Sequence, residues 1–233
     1  MMAMAVKLLN LEEAAAFLNL DPGKVRQMAV CGEIPCVNSG SRLTFEREEL
    51  DNWYTNRLIR HLPVTPLRRG QRPADGTDIA GLCHSRIMTP ALGGKTRDAV
   101  LRALTELCEN SGALYDPREF YEELRRREDV ASTAMKGGIA LCHPENRDEF
   151  LCEKPFIAVA HTEKPVFFGD PDGGTTDLFF VIAGPDDDMH LQIMAQLCAL
   201  LENSPLAEKL REASTAEAML EAVMECTASS RQQ

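Results

Sequence analysis

The sequence predicts two modules of different class, a small α+β domain followed by a larger α/β domain, and three observations lead there. A stretch with three prolines, two glycines and no periodicity, Leu62 to Gly76, reads as a connector. Charge is divided unevenly around it: residues 1–72 hold ten Lys/Arg against eight Asp/Glu, and residues 73–233 hold fifteen against twenty-eight, so the net −11 splits into +2 and −13. Apolar patterning changes as well, from short amphipathic helices with a turn-rich β segment to strands alternating with helices. The expected organisation is a first domain over 1–60, a linker over 61–77 and a second domain over 78–227.

Asn10-Leu11-Glu12-Glu13 reads as a helix start, with an N-cap and a glutamate at the third helical position. Ala14, Ala15, Phe17 and Leu18 supply its apolar face, and it ends near Asn19. Asp21-Pro22 caps a second helix with proline at its first position, turning Val25 and Met28 inward and leaving Lys24, Arg26 and Gln27 outward, until Gly32 ends it. Glu33-Ile34-Pro35, a turn at Asn38-Ser39-Gly40-Ser41 and Arg42-Leu43-Thr44-Phe45 form a small β-wing. A third helix from about Glu46 to Ile59 carries Leu50, Trp53 and Leu58 into the core.

This is the plan of a winged helix-turn-helix. The stretch 7–57 resembles the excisionase-like branch of the MerR superfamily through Leu11-Glu12-Glu13-Ala14-Ala15, Gly32-Glu33-Ile34-Pro35 and the Arg42-x-x-Phe45-x-x-Glu48-Glu49-Leu50 run. The resemblance implies DNA as a partner, with Lys24, Arg26 and Gln27 of the second helix on base edges or phosphates and Arg42 on the backbone. The alternative is that these cations form a solvated face of a small interaction module. One such unit makes few contacts, so a homodimer or repeated sites are expected to supply specificity.

Beyond the linker, a strand is expected near Ile87 to Leu92, then a Gly93-Gly94 turn and a helix with Ala99, Leu101, Leu104 and Leu107 on one side. Asp116-Pro117-Arg118-Glu119 starts another helix, which runs through Phe120, Leu124 and Arg125-Arg126-Arg127. Phe156 to Ala160 and Asp177 to Ile182 are buried-strand patterns, Asp187 to Glu202 is an amphipathic helix, and Ser214-Thr215-Ala216-Glu217 caps the last helix.

Within this module His143 closes the short apolar strand Ile139-Ala140-Leu141-Cys142 behind a Gly137-Gly138 bend. A neutral imidazole is a good nucleophile near pH 7 and can carry a phosphoryl group, and backbone N–H groups around Gly137 and Gly138 would offer an anion cradle. The run Ser132 to His143 resembles the histidine segment of the fructose/mannitol-type and nitrogen-regulatory IIA domains of the bacterial phosphotransferase system, and the resemblance spans about Asp78 to Val223. It implies a mixed β-sheet covered by helices, with His143 as phosphoacceptor, Arg127 as the active-site arginine and His190 as the second histidine. Ser132 and Thr133 would add hydroxyl or backbone contacts to phosphate. The family usually has Pro-His-Gly where this chain has Cys142-His143-Pro144, and proline there removes an N–H and fixes φ.

The resemblance further implies an HPr-like phosphocarrier as donor and a IIB domain or a regulated target as onward partner. The expected function is a cytoplasmic regulator joining DNA binding to a IIA-type phosphohistidine domain. Two alternatives stand beside it: a IIA component passing phosphate to a sugar transporter, and a non-phosphorylated IIA-like adaptor or sensor. The first residues lack a sustained apolar stretch, which argues against a signal peptide or membrane insertion. The eight cysteines show no paired C-x-x-C framework, so reduced thiols are expected, with no metal and no cofactor.

Overall fold

The computed structural model describes residues 8–18, 20–38, 42–60, 78–146, 151–170, 172–184 and 187–230, with backbone alone for 38, 55–60 and 187–188. The linker 61–77 and residues 39–41 of the wing turn lie outside the described residues. The chain divides between Leu58 and Ile59 into two units, each with its own core.

In the first unit, helix α1 (Leu11–Phe17) starts at a reciprocal cap: Glu13 N–H donates to Asn10 Oδ1 (3.0 Å) and Asn10 N–H to Glu13 Oε2 (2.8 Å). Helix α2 (Pro22–Val30) follows, its first turn capped by Asp21, whose carboxylate accepts from the N–H groups of Gly23 and Lys24. Strands β1 (Leu8–Leu9), β2 (Val37–Asn38) and β3 (Leu43–Glu46) form an antiparallel sheet in the order β1-β3-β2, and α3 (Arg47–Arg60) closes the unit. Val25, Leu18, Phe45 and Leu50 are buried at its centre, with Trp53 only partly buried against them. β1 has no counterpart in the sequence reading, because two residues carry no periodicity; its pairing with β3 is what buries Leu9.

The second unit is a five-stranded mixed sheet in the order β4-β7-β8-β6-β5, made of β4 (Cys83–Thr89), β5 (Ala134–Met135), β6 (Ile139–Cys142), β7 (Phe156–Val166) and β8 (Thr176–Ala183). β4 runs parallel to β7 and β6 parallel to β8, while β7–β8 and β5–β6 are antiparallel. Helices α4 (Arg97–Glu109) and α5 (Pro117–Val130) cover one face, burying Val100, Leu101, Leu104, Phe120 and Leu124 against Ala140, Ala158, Phe179 and Val181. The residues alternating with those strand positions, such as Leu141, Ile157, Phe180 and Ile182, are buried too. They lie on the opposite face, where α6 (Asp187–Asn203) packs on β8 and α8 (Ala216–Ser230) on β4, with α7 (Leu206–Glu212) between them in sequence. The continuous apolar runs of β6, β7 and β8 thus follow from burial on both faces.

Two boundaries differ from the sequence reading. The expected strand at Ile87–Leu92 is displaced to Cys83–Thr89: Pro90 has no N–H to offer the ladder, and β4, an edge strand, alternates exposed His84 and Arg86 with half-buried Cys83 and Ser85, which hides it from an apolar-run search. β7 continues past Ala160 to Val166, through a register irregularity before Val166, so His161 is a half-buried strand residue.

A tight hairpin at Lys136-Gly137-Gly138 joins β5 to β6, with φ of 88° at Gly137 and 76° at Gly138. The Gly138 carbonyl accepts from the N–H groups of Asp177 (2.9 Å) and Leu178 (3.0 Å), and Arg211 of α7 grips both the Asp177 carboxylate (2.7–3.1 Å) and the Gly137 carbonyl. A Cβ on Gly138 would sit 2.9 Å from Asp177 Oδ1 and 3.2 Å from Arg211 Nη2. Gly138→Ala is therefore expected to lower stability by about 1–3 kcal/mol through left-handed strain and this crowding, seen as a lower urea midpoint; Gly137→Ala, with open space around its Cβ, should cost less.

Candidate active site

The site grows from the polar part of α5's inward face. Asp116 caps this helix, accepting from the N–H groups of Arg118 and Glu119, and residues spaced three and four apart then turn inward: Phe120, Glu123, Leu124, Arg127 and Glu128. Three of these five are ionisable, and each reaches a different segment.

Arg127 is 1% exposed. Its Nη1 donates to the Ala131 carbonyl at the helix end (2.6 Å), which fixes the guanidinium, and its Nε donates to His143 Nε2 (3.0 Å). His143, also 1% exposed, places Nδ1 2.8 Å from the Leu141 carbonyl. The two contacts agree on one tautomer. A carbonyl only accepts, so Nδ1 carries the hydrogen; a guanidinium only donates, so Nε2 presents its lone pair. His190, fully buried in the first turn of α6, stacks its ring 4.8 Å from that of His143 at a 46° tilt.

Glu145 completes the group. Its Oε2 lies 3.8 Å from Arg127 Nε, the nitrogen that also faces His143. The turn bearing it is held by Glu123: the Glu145 N–H donates to the Glu123 carbonyl (3.2 Å), and Asn146 donates to Glu123 Oε2 from its main chain (3.0 Å) and its side chain (3.1 Å). Arg126 pairs with the other Glu123 oxygen.

Glu128 is buried and turned to Thr133, whose N–H donates to both carboxyl oxygens (3.1 and 3.2 Å) and whose hydroxyl donates to Oε1. Burial pushes the Glu128 carboxyl upward from its ordinary value, against the opposing pull of the Thr133 hydrogen bonds and the Arg127 charge. Thr133 in turn accepts from the Leu141 N–H through its carbonyl (3.2 Å). Glu128 thereby fixes the strand end whose Leu141 carbonyl orients His143. Cys142 is buried beside Thr133, its Sγ 3.7 Å from the hydroxyl oxygen, and burial first, then the Glu128 charge, drives its thiol well above the usual range. Burial likewise pushes up Cys83 and Cys198 to about 12, whereas Cys31 is exposed.

The residues singled out in the sequence are thus sorted by position. Arg127, His143 and His190 come together. Thr133 is adjacent, but its N–H and hydroxyl are committed to Glu128. Ser132 turns to the Phe168 carbonyl (3.4 Å) and accepts from the Ala134 N–H (3.2 Å). Gly137 and Gly138 are not brought to His143: they lie at the opposite end of β6, five residues of extended chain and roughly 16 Å away, in the hairpin that Arg211 grips. In the first unit Lys24, Arg26 and Gln27 share the exposed side of α2, and Arg42 is exposed before β3. Glu123, Glu128 and Glu145 were missed as site residues. Only Glu145 left a trace, as a carboxylate two positions after the histidine. Among the described residues no group of three or more His, Cys, Asp or Glu could hold a metal ion, and no helix is long and apolar enough to cross a membrane.

Comparison with known proteins gives both units a family. Residues 83–226 match the family described as phosphoenolpyruvate-dependent sugar phosphotransferase system, EIIA 2, and residues 8–58 match a helix-turn-helix domain. Over 147 residues the chain is 31% identical to the nitrogen regulatory protein of Pseudomonas aeruginosa, covering 60% of this chain and 94% of that protein. The crystal structure of nitrogen regulatory protein IIA-Ntr from Neisseria meningitidis superposes with a TM-score of 0.56 at 22% identity, over 62% of this chain and 98% of that one. Enzyme IIAMTL from Escherichia coli, solved in complex with phosphorylated enzyme IIBMTL, gives 0.54 at 18% identity, over 61% and 96%. These two structures share the fold of the second unit.

The buried Glu128 carboxyl makes stability depend on pH. Its folded value is raised, so the stabilisation it gives is complete below the unfolded value of about 4.3 and is lost as pH rises through the folded one. Glu128→Gln keeps the acceptor for Thr133 and abolishes the titration. Its urea midpoint, measured relative to the natural protein, should therefore rise progressively from about pH 4 upward; a gap that is constant or shrinks with pH would contradict the assignment.

Proposed function

This chain belongs to the phosphoenolpyruvate-dependent sugar phosphotransferase system EIIA 2 family and carries a helix-turn-helix domain ahead of that domain, and we propose that it is a cytoplasmic regulator in which phosphorylation of His143 adjusts what the helix-turn-helix domain does on DNA. The observation that carries this reading is the pair of contacts that hold His143 as a nucleophile: Nδ1–H on the Leu141 carbonyl and the Nε2 lone pair turned to a buried guanidinium.

In the proposed step an HPr-like phosphocarrier supplies the phosphoryl group. The His143 Nε2 lone pair attacks phosphorus, a P–Nε2 bond forms as the carrier's P–N bond breaks, and the carrier's nitrogen takes back its electron pair. Arg127 moves its N–H from Nε2 to the phosphoryl oxygens, the Leu141 carbonyl supports the charge that develops on the imidazole, and His190 lies close enough to donate to a phosphoryl oxygen. The product adds about −1.5 to −2 of charge at a buried arginine, enough to alter an interface. Thr133 would serve through Glu128 and not by touching phosphate. The complex of enzyme IIAMTL with phosphorylated enzyme IIBMTL supports a IIB domain or a regulated target protein as onward partner, and the 31% identity to a nitrogen regulatory protein supports regulation over sugar uptake.

One observation favours a second reading, an adaptor that never takes phosphate: both histidines are at most 1% exposed, so a carrier reaches Nε2 only if the rim opens. Incubation with phosphoenolpyruvate, enzyme I, HPr and labelled phosphate separates the two. Acid-labile, base-stable label lost in His143→Ala and reduced about 10²-fold or more in Arg127→Ala is the expected result; no label under conditions that phosphorylate an ordinary IIA domain leaves the adaptor.

On the DNA side, exposed Lys24, Arg26 and Gln27 on α2 and Arg42 before β3 are the proposed contacts, and pairing of two copies would double them. Replacing Lys24 and Arg26 together by alanine should weaken binding across sequences and reduce the salt slope by about 2 in titrations at several salt concentrations. An unchanged slope would remove these two cations from the interface.

A further inference from the structure

We propose that Glu145 is a built-in anion that holds the phosphoryl position of Arg127 in the resting protein, so that the site admits phosphate only when this carboxylate gives way. The inference rests on the reading of His143 as phosphoacceptor and deepens it: Glu145 sets which anion the site accepts and when.

Three observations carry it. Glu145 Oε2 lies 3.8 Å from Arg127 Nε, the same nitrogen that donates to His143 Nε2. A phosphoryl group on Nε2 would bring its oxygens to that guanidinium, where the Glu145 oxygen already sits shut off from solvent. The position is enforced by its surroundings: the Glu123 carbonyl holds the Glu145 N–H, and the Glu123 carboxylate holds both donors of Asn146. Glu123 is itself buried and gripped by Arg126, so the turn after Pro144 is clamped from α5, one helical turn away from Arg127.

The electrostatic consequence follows. A carboxylate and a phosphoryl group facing one guanidinium at this separation repel each other while sharing a single compensating charge. With Glu145 in place Arg127 is already neutralised, and a doubly negative group on Nε2 gains little from it. Withdrawal of Glu145 restores the cation to the incoming phosphate. The same displacement loosens the turn that α5 clamps, and so reports phosphorylation at the surface where a partner would read it.

The test uses the full-length chain with 15N-labelled histidine and inorganic phosphate as probe, following the His143 and His190 imidazole resonances. Glu145→Gln removes the charge without changing shape, Glu145→Ser removes charge and reach, and Glu153→Gln, an exposed carboxylate beside Lys154, matches the change in net charge away from the site. Both Glu145 variants should bind phosphate with a Kd about tenfold or more below that of the natural protein and Glu153→Gln, a relief of anion–anion repulsion of about 1.4 kcal/mol. The same Kd in all four proteins, or no saturable shift in the Glu145 variants, would overturn the proposal. Label transfer from the phosphocarrier is measured in parallel. If the Glu145 variants gain phosphate binding while no protein takes label, the competing anion stands and the phosphoacceptor reading falls.

Discussion

The parallel pairing of β6 with β8 is the constraint on which the site depends. Their register, from Ile139 opposite Leu178 to Cys142 opposite Val181, brings both carboxyl ends to one edge of the sheet. His143 is the first residue past one end, and α6, which carries His190, follows the other. Antiparallel pairing would separate the two rings by a strand's length, about 13 Å. Parallel neighbours cannot be joined by a tight turn, and here the chain returns through β7, which enters at that same edge with Phe156 opposite Ala183 and runs back along the far side of β8. Loops at the carboxyl ends of strands are where backbone ends without a ladder and side chains converge, as in other open sheets.

Around that edge a single helix acts as a clamp. Glu123 holds the turn after His143, Arg127 holds the imidazole, and Glu128 holds the start of β5, all from one face of α5. Burying three ionisable groups is tolerated because each is bonded on arrival: Glu128 by Thr133, Glu123 by Asn146 and Arg127 by His143 and the Ala131 carbonyl. The Arg97 guanidinium of α4, donating to the Glu128 carbonyl (3.2 Å) and to Asp129 (2.6 Å), ties the end of the clamp to the neighbouring helix.

Much of this was legible in the sequence, and the reasons differ by residue. The two-module plan showed in charge and periodicity because each unit has its own core. Arg127 and His190 were named through the resemblance to the IIA domains and His143 through its place at the end of an apolar strand, and the fold brings the three together. Gly137 and Gly138 misled, since nearness in sequence is distance in an extended strand: they hold positive φ for a hairpin and serve Arg211, not the histidine. Glu123 and Glu128 were hidden because a carboxylate on a helix reads as solvated until the loop it grips is known, and Glu145 because a carboxylate in a turn reads the same way. β1 and α7 were too short to impose a period, and β4 carries the polar alternation of an edge strand.

The burial of Cys142 has a practical side. Thiolate is the reactive form, and a thiol whose ionisation is driven far above neutrality inside a packed sheet resists alkylation and oxidation alike. Cys142 stands directly beside His143, so the chemistry of the imidazole is insulated from oxidants that would otherwise reach its neighbour. Cys31, exposed just past α2, has no such shelter. A maleimide-type dye would mark the helix-turn-helix unit first and leave the histidine pair untouched, giving a fluorescent handle on one unit that does not disturb the buried site of the other.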